Sequence, residues 1–167
     1  GTLTRNEMTV VGAVVDGIGY EVTGTGYGPE GRVLREGRPV AATEAGRLRD
    51  FFGIGLLASN ARVLPPDDHS PSWYCLGDPT EGALVVAATK AGAEPVLPEE
   101  VRELPFDSGR KRMTSIRRTP AGVVAFVKGA PESVLDRCSR VRAAGGVRPL
   151  TGADRAAFLA EHIRRAE

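Results

Sequence analysis

The chain has 167 residues, and its 22 Lys and Arg residues nearly balance its 21 Asp and Glu residues, leaving a formal net charge of +1. This length suits one domain, or occasionally two, and can bury a sizeable core. The near balance of charge argues against electrostatic binding of nucleic acid or of acidic membranes.

Membrane, redox and metal signals are weak. No apolar run approaches the roughly 20 residues of a membrane-spanning helix, and no signal peptide opens the sequence, so we expect a soluble module. Cys75 and Cys138 lie far apart and without CxxC spacing. We therefore expect reduced thiols, and neither a disulfide nor a bound metal.

The first third of the chain predicts β-structure followed by a helix. Residues 8–15 and 18–22 read as two strands joined by a tight turn at Asp16-Gly17. The glycines of residues 23–31 do not have GxGxxG spacing and no Lys-Ser pair follows them, which favours a structural loop over a phosphate-binding one. Residues 33–35 predict another short strand.

Helical periodicity begins near residue 42 and continues to residue 59. Thr43 is a plausible cap. The apolar residues expected to face the core form one stripe along this helix: Ala45, Leu48, Phe52 and Leu56. Three neighbouring residues are expected to widen the stripe: Phe51, Ile54 and Leu57. Residues 60–72 predict an exposed loop.

Residues 73–92 predict a strand followed by a capped helix. Asp78 suits the N-cap, Pro79 the first helical position, and Glu81 the closing position of a capping box. Gly92 is expected to end the helix. Capping alone can explain both Asp78 and Glu81.

The stretch from Leu104 to Glu132 carries the strongest functional signal. Alternation after Met113, turn residues at 119–122 and an apolar β-branched run at 123–127 predict a β-hairpin. Such a hairpin would bring residues 106 and 111 close to the end of the strand that carries residue 128.

Phe106, Lys111 and Lys128 are the candidate binding residues of this stretch. A ring beside two ammonium groups suits an adenine with a polyphosphate, because the ring offers a stacking face and the lysines offer positive charge. Each residue alone has an ordinary alternative, since phenylalanine is usually core and lysine is usually a solvated surface charge. Only their combination favours a nucleotide site.

The last third predicts a short helix from Pro131, a β-hairpin over residues 141–150, and a final amphipathic helix over residues 154–166. Thr151 is the expected cap of this last helix, and its predicted core-facing residues are Phe158, Leu159 and Ile163. Hairpins interspersed with a few helices predict an α+β fold with a mainly antiparallel sheet.

Three motifs, in a fixed order, resemble markers of a known family. They are Gly77-Asp78-Pro79-Thr80-Glu81-Gly82-Ala83-Leu84, then Pro105-Phe106-Asp107-Ser108 through Arg110-Lys111-Arg112-Met113, and finally Lys128-Gly129-Ala130-Pro131-Glu132. With them the chain resembles, over nearly its whole length, the nucleotide-binding domain of P-type cation-transporting ATPases, and the calcium-pump-like branch fits best. The resemblance implies a twisted, mainly antiparallel β-sheet flanked by helices.

The first residues resemble the end of that family's phosphorylation motif. The motif's aspartate, which accepts the γ-phosphoryl group, is not in the sequence, where Gly1-Thr2-Leu3-Thr4 comes first. We therefore expect no catalytic residue in this chain and no activity from it alone. Residues 1–8 are interpreted as a remnant of the phosphorylation-domain motif and hinge, and residues 9–167 as the nucleotide-binding domain.

The resemblance implies a role for each matching residue. Phe106 would stack on adenine, and Glu81 would accept a hydrogen bond from the adenine amino group. Lys111 and Lys128 would line the pocket toward the ribose and phosphates. Further nucleotide contacts are implied for Asp78, Thr80, Ser108, Arg110, Gly129 and Ala130.

One departure from the family pattern concerns Ser108. Some relatives carry an arginine at this place, two residues after the stacking phenylalanine. Either Arg110 takes over that contact, or the nucleotide affinity of this chain is weaker.

The resemblance also implies the setting of the domain. Its ligand would be ATP, as Mg-ATP in the intact pump, and its partners would be the phosphorylation and actuator domains of an ATP-hydrolysing cation translocase. It would be a monomeric cytoplasmic domain of an integral membrane protein. Calcium as the transported ion rests on family likeness alone, because ion selectivity resides in membrane helices.

Two alternatives remain open at the level of sequence. The chain could be a noncatalytic interaction module that keeps the fold but has little nucleotide affinity. It could also be an autonomous hydrolase, which the missing nucleophile argues against.

Overall fold

The secondary structure is distributed over two units of the chain. The computed structural model describes residues 7–94, 96–143 and 145–166. The first unit ends at Glu99 and the second begins at Glu100. Residues 1–6 lie outside the described residues, so the assignment of residues 1–8 to a hinge remnant stays a prediction.

A four-stranded antiparallel sheet opens the first unit. Its strands lie in chain order: β1 (Gly12–Val15), β2 (Ile18–Val22), β3 (Val33–Arg35) and β4 (Arg38–Pro39). Asp16 and Gly17 join β1 to β2 with φ angles of +54° and +74°, as a two-residue hairpin with both central residues at positive φ requires. The predicted hairpin is confirmed, although its first strand begins at Gly12 and not at residue 8.

The glycine-rich segment after β2 closes on itself by its own backbone. Thr23 N–H donates to the carbonyl of Arg32 over 3.0 Å, and Arg32 N–H donates to Oγ1 of Thr23 over 2.9 Å. A Cβ on Gly24 would lie 2.0 Å from the carbonyl oxygen of Glu30. Glycine therefore lets the loop fold back at this point.

The long helix α1 (Ala42–Leu57) is buried on a narrower face than its sequence predicts. Its buried residues follow one row at i, i+4 and i+8: Leu48, Phe52 and Leu56. Phe51 and Ile54 are exposed, so the prediction that they widen the buried stripe is wrong. Thr43 is not the cap either, because the N-cap is Ala41, which makes no side-chain cap bond.

A two-stranded sheet and a second helix complete the first unit. β5 (Arg62–Leu64) pairs antiparallel with β6 (Tyr74–Leu76), so the predicted loop over residues 60–72 contains a strand. The helix α2 (Pro79–Lys90) is followed by Gly92 at φ +81°, the expected C-terminal glycine. One core cluster joins the four-stranded sheet to both helices: Val15, Tyr20, Val22, Val33, Leu48, Phe52, Leu56, Val85, Ala87 and Ala88.

The second unit is built on a three-stranded antiparallel sheet in the order β7-β8-β9: β7 (Glu100–Asp107), β8 (Arg112–Thr119) and β9 (Gly122–Gly129). The predicted hairpin is confirmed as β8 and β9. The strand β7 was not predicted, and it makes β8 the central strand. Four residues of β8 have low exposure: Met113, Thr114, Ser115 and Arg117.

An ion pair between a buried arginine and a partly exposed glutamate joins β7 to β8. The Arg117 side chain is only 3% exposed, and its Nη2 lies 3.4 Å from Oε2 of Glu100. Ser115 Oγ donates to the same carboxylate oxygen over 2.9 Å. Because a charge can be buried only with partners of this kind, Glu100 fixes the start of β7 on β8.

The rest of the second unit is α3 (Pro131–Leu135), the hairpin β10 (Arg140–Ala143) and β11 (Gly146–Pro149), and the helix α4 (Gly152–Ala166). Thr151 caps α4 as predicted, since Asp154 N–H donates to Thr151 Oγ1 and Thr151 N–H donates to Asp154 Oδ2. The core-facing prediction is wrong for Phe158 and Ile163, which are 42% and 61% exposed. In this unit α4 packs on α3, which has five residues and is too short to cover the stripe.

Antiparallel sheets with flanking helices confirm the predicted α+β class. Within the described ranges, the strands fall into four small sheets. None of the helices in this part of the chain combines the length and the apolarity needed to cross a lipid bilayer.

Candidate functional site

Phe106 stands on β7 with 64% of its surface exposed. The pairing of β7 with β8 shifts register here: Leu104 pairs with Thr114, but the next pair is Asp107 with Arg112. Pro105 and Phe106 therefore lie opposite a single residue of β8, as in a β-bulge, and bulges commonly redirect side chains. An exposed aromatic ring at such a position is available to a planar ligand.

The turn from β7 to β8 is organised by Asp107. Its Oδ1 accepts a hydrogen bond from Arg110 N–H over 2.8 Å, and its carbonyl accepts one from Lys111 N–H over 2.6 Å. Lys111 is exposed and has a φ of +51°, in the left-handed region. The turn thus gives Lys111 a defined backbone conformation beside the bulge that carries Phe106.

The end of β9 meets the start of β8 at the same end of the sheet. Lys128 pairs with Met113 and Gly129 with Arg112, while Ala130 N–H donates to the carbonyl of Lys111 over 2.9 Å. The structure therefore brings together four of the predicted residues of this unit at the β8–β9 end: Lys111, Lys128, Gly129 and Ala130.

Gly129 has a packing role that the sequence did not show. A Cβ at this position would lie 2.3 Å from the carbonyl oxygen of Lys111 and 2.5 Å from the Cβ of Arg112. Only glycine allows the two strands to approach this closely. The close contact at Gly129 is with the neighbouring strand, and its contact with a nucleotide stays a prediction.

Arg110 and Ser108 occupy the turn itself. The Arg110 guanidinium donates to the carbonyl of Pro105 over 2.7 Å, and its Nε lies 3.9 Å from Oδ1 of Asp107. Arg110 therefore braces the turn across the bulge. Ser108 is exposed at the turn.

Asp78, Thr80 and Glu81 belong to the first unit, at the N-terminus of α2. Asp78 Oδ1 accepts hydrogen bonds from the backbone N–H of Thr80 and Glu81, at 2.8 and 3.1 Å, so the predicted N-cap is confirmed. Oε2 of Glu81 accepts from the backbone N–H groups of Asn60 and Ala61, at 2.8 and 3.1 Å. Glu81 therefore anchors the chain between α1 and β5.

The strand before this helix packs tightly against it. A Cβ on Gly82 would lie 2.5 Å from Sγ of Cys75. Burial raises the pKa of the Cys75 thiol, and the nearby Asp78 and Glu81 carboxylates act in the same direction. The thiol is therefore held in its protonated, poorly nucleophilic form at neutral pH.

The first unit also has a cleft of about 190 Å³ that contains none of the predicted nucleotide-binding residues. Its lining is largely apolar with two cationic side chains: Arg32, Val33, Pro39, Val40, Ala45, Leu48, Lys90 and Ala91. Burial lowers the pKa of Lys90, whose Nζ donates to the carbonyl of Thr23 over 2.9 Å. This lysine is engaged in holding the glycine-rich loop.

Sequence reasoning missed the residues that support the turn, namely Asp107, Arg112 and Ser133. Asp107 could have been found, because an aspartate that accepts from the N–H three residues later is a common turn signal. The partnership of Arg112 with Ser133 spans 21 residues, and no local pattern indicates it.

The family model described as "P-type ATPase, cytoplasmic domain N" matches residues 47–166 of this sequence. This match covers more than two thirds of the chain. The chain belongs to the family of P-type ATPase cytoplasmic N domains. The family membership implied by the three motifs is thereby confirmed.

Relatives of this N domain are named as cation-transporting or calcium-transporting ATPases. The chain is 36% identical over 166 residues to a probable cation-transporting ATPase F of Mycobacterium tuberculosis, covering 95% of this chain and 18% of the relative. It is 35% identical over 147 residues to a calcium-transporting ATPase of Bacillus subtilis, covering 84% of this chain and 16% of the relative. Calcium-transporting ATPase type 2C member 1 of Bos taurus is 33% identical over 168 residues, covering 96% of this chain and 17% of the relative.

This N domain therefore spans less than a fifth of the length of the curated relatives that it matches.

Proposed function

We propose that this N domain binds ATP and presents it to the phosphorylation domain of a cation-transporting P-type ATPase. The observation that carries the proposal is the exposure of Phe106. An apolar ring with 64% of its surface in water contributes little to the core. Stacking with a purine would remove much of that surface from water and add a base–aromatic contact.

The surroundings of Phe106 in the second unit suit the anionic part of the nucleotide. Lys111 and Lys128 lie at the end of the sheet where β7 turns into β8 and β9 ends. Their ammonium groups would meet the ribose and phosphates, with Mg²⁺ arriving on the phosphates as part of the substrate. Ser108, Arg110 and the backbone at Gly129 and Ala130 would supply further contacts.

Glu81 is proposed to recognise the adenine amino group. Its Oε2 already accepts two backbone hydrogen bonds. Carboxylate oxygens accept hydrogen bonds from amino groups, as this role requires. Guanine carries a carbonyl at that edge, and two acceptors facing each other would disfavour it. Asp78 and Thr80 would support this contact from the same helix start.

The cation is proposed to be calcium, because two of the relatives above are named as calcium-transporting. The chemistry of phosphoryl transfer would belong to the phosphorylation domain of the longer protein. The N domain would contribute binding, orientation and proximity, which convert phosphoryl transfer between domains into an intramolecular step. On this proposal the chain by itself releases no phosphate from ATP.

Calorimetric titration of ATP into the purified chain tests the proposal. Phe106→Ala is expected to weaken ATP binding by about 1–3 kcal/mol, the usual size of a base–aromatic stack, or roughly 5- to 150-fold. Phe158→Ala is the matched control, because Phe158 is another exposed phenylalanine of the same unit. It is expected to bind ATP like the wild type.

Three results would contradict the proposal. No measurable heat with the wild type at millimolar ATP would favour an interaction module with little nucleotide affinity. Equal affinities for wild type and Phe106→Ala would remove the aromatic platform from the account. Steady phosphate release from ATP by the chain alone would instead support an autonomous hydrolase.

A further inference from the structure

We propose that Arg112 and Ser133 are positioning residues that hold the backbone at Lys111 in the conformation needed for nucleotide binding. Neither residue is expected to contact the nucleotide. Both act on one carbonyl group, that of Arg110, which belongs to the peptide group immediately before Lys111.

Three polar groups form a closed triangle at this point. Ser133 Oγ donates to the carbonyl oxygen of Arg110 over 2.6 Å. One guanidinium nitrogen of Arg112, Nη1, donates to the same oxygen over 3.1 Å and to Ser133 Oγ over 2.8 Å. The triangle thus joins the turn, β8 and α3, and all three interactions are partly buried.

The triangle matters because Lys111 has a φ of +51°. This left-handed region is unfavourable for a residue with a side chain, and it persists only where the surroundings fix it. A rotation of the 110–111 peptide group that changed this φ would turn the Arg110 carbonyl away from both donors. The triangle therefore opposes the relaxation of Lys111 to an ordinary conformation.

The remaining contacts of the turn do not restrain this carbonyl. Asp107 holds the N–H groups of Arg110 and Lys111, and Ala130 N–H holds the carbonyl of Lys111. The peptide group between residues 110 and 111 is thus held at both ends, its N–H by Asp107 and its carbonyl by Arg112 and Ser133.

The direction of the Lys111 side chain follows from this backbone conformation. The consequence for ATP rests on the proposed function, in which the Lys111 ammonium meets the ribose and phosphates. Loss of the triangle should then weaken ATP more than adenosine, since adenosine has the base but no phosphates.

The first measurement uses amide hydrogen exchange of the full chain without nucleotide. Ser133→Ala and Arg112→Gln are each expected to speed exchange of the Lys111 amide about fivefold, the effect of losing one ordinary hydrogen bond. Ser133→Thr keeps the hydroxyl and should restore slow exchange. The matched controls Ser139→Ala and Arg140→Gln alter exposed residues of the same unit outside the triangle, and should leave Lys111 exchange unchanged.

The second measurement compares affinities for ATP and adenosine by calorimetry. Ser133→Ala should lower ATP affinity about fivefold, as expected for one hydrogen bond, and leave adenosine affinity as in the wild type. Unchanged Lys111 exchange in both variants would overturn the proposal. So would faster exchange with unchanged ATP affinity, and in that case the nucleotide site itself would stand. If the wild type binds neither ligand, the proposed function fails, and the exchange rates alone decide whether the triangle holds the turn.

Discussion

Replacing Gly129 by alanine should separate the ends of β8 and β9. The new Cβ would lie 2.5 Å from the Cβ of Arg112 and 2.3 Å from the carbonyl oxygen of Lys111. The carbon–carbon distance is roughly 1 Å shorter than an ordinary van der Waals contact of about 3.5 Å. Both neighbours are close to the backbone, so no flexible side-chain end can move away.

A separation of that size has a direct consequence for the Ala130 N–H bond to Lys111. It would lengthen from 2.9 Å to roughly 3.9 Å, which is beyond hydrogen-bond distance. The lost bond, worth about 1 kcal/mol, and the strain of overpacking, about 1–3 kcal/mol, add to a destabilisation of about 2–4 kcal/mol. A destabilisation of this size is large for a substitution at an exposed glycine.

Urea unfolding followed by the NMR signals of β8 and β9 measures this effect. Signals from the second unit are needed because the two units need not unfold together. Gly152→Ala is the matched control in the same unit, since a Cβ there meets nothing within 4 Å. If Gly129→Ala and Gly152→Ala unfold at the same urea concentration, the close approach of β8 and β9 is not what holds this end of the sheet.

Substitutions at two further residues test local interactions. Glu81→Ala should destabilise the first unit by about 1–3 kcal/mol, because the buried N–H of Ala61 loses its acceptor. Glu81→Gln keeps an oxygen at this place and should destabilise the unit less. Urea unfolding monitored in that unit compares the stabilities of the two variants. The hydrogen bond from Arg148, followed by those from Thr151, lowers the pKa of Asp154 well below its usual range. The stabilisation by Asp154 is therefore present at neutral pH, declines as the pH falls below about 4, and is lost as the pH passes the folded-state pKa. Amide protection of α4 should consequently differ between wild type and Asp154→Asn at neutral pH and converge in strong acid; a difference that persists in acid would contradict this role.

Local signals in the sequence predicted several turns and caps, although the cap expected at Thr43 is wrong. The turn at Asp16-Gly17, the cap at Asp78 and the cap at Thr151 were all predicted from residues within a few positions of each other. These features depend on backbone dihedral preferences and short-range hydrogen bonds, which sequence spacing expresses directly. The fold class followed from the same signals.

Burial was harder to predict because it depends on what covers a residue. Phe51 and Ile54 on α1, and Phe158 and Ile163 on α4, all fit apolar stripes but are exposed. A helix face is buried only as far as the neighbouring elements extend. The strand β7 was missed because its residues were interpreted as a binding motif, although the same residues serve as strand and motif.

The candidate site was predictable in its residues but not in its supports. The motifs indicated Phe106, Lys111 and Lys128, and the structure places them at one end of a three-stranded sheet. The contact between Glu81 and the chain at residues 60–61 joins positions 20 and 21 residues apart. The triangle around the Arg110 carbonyl joins the turn to a helix further along the chain. Long-range pairings of this kind have no signature in local sequence.

The most direct test of the nucleotide site is an intermolecular nuclear Overhauser experiment on the chain saturated with ATP. We expect cross-peaks between the base protons of adenine and the ring protons of Phe106, together with shifted amide signals at Lys111 and Gly129. Cross-peaks from adenine to any other aromatic ring, with the Phe106 signals unmoved at saturation, would contradict the proposed stacking and with it the arrangement of the site.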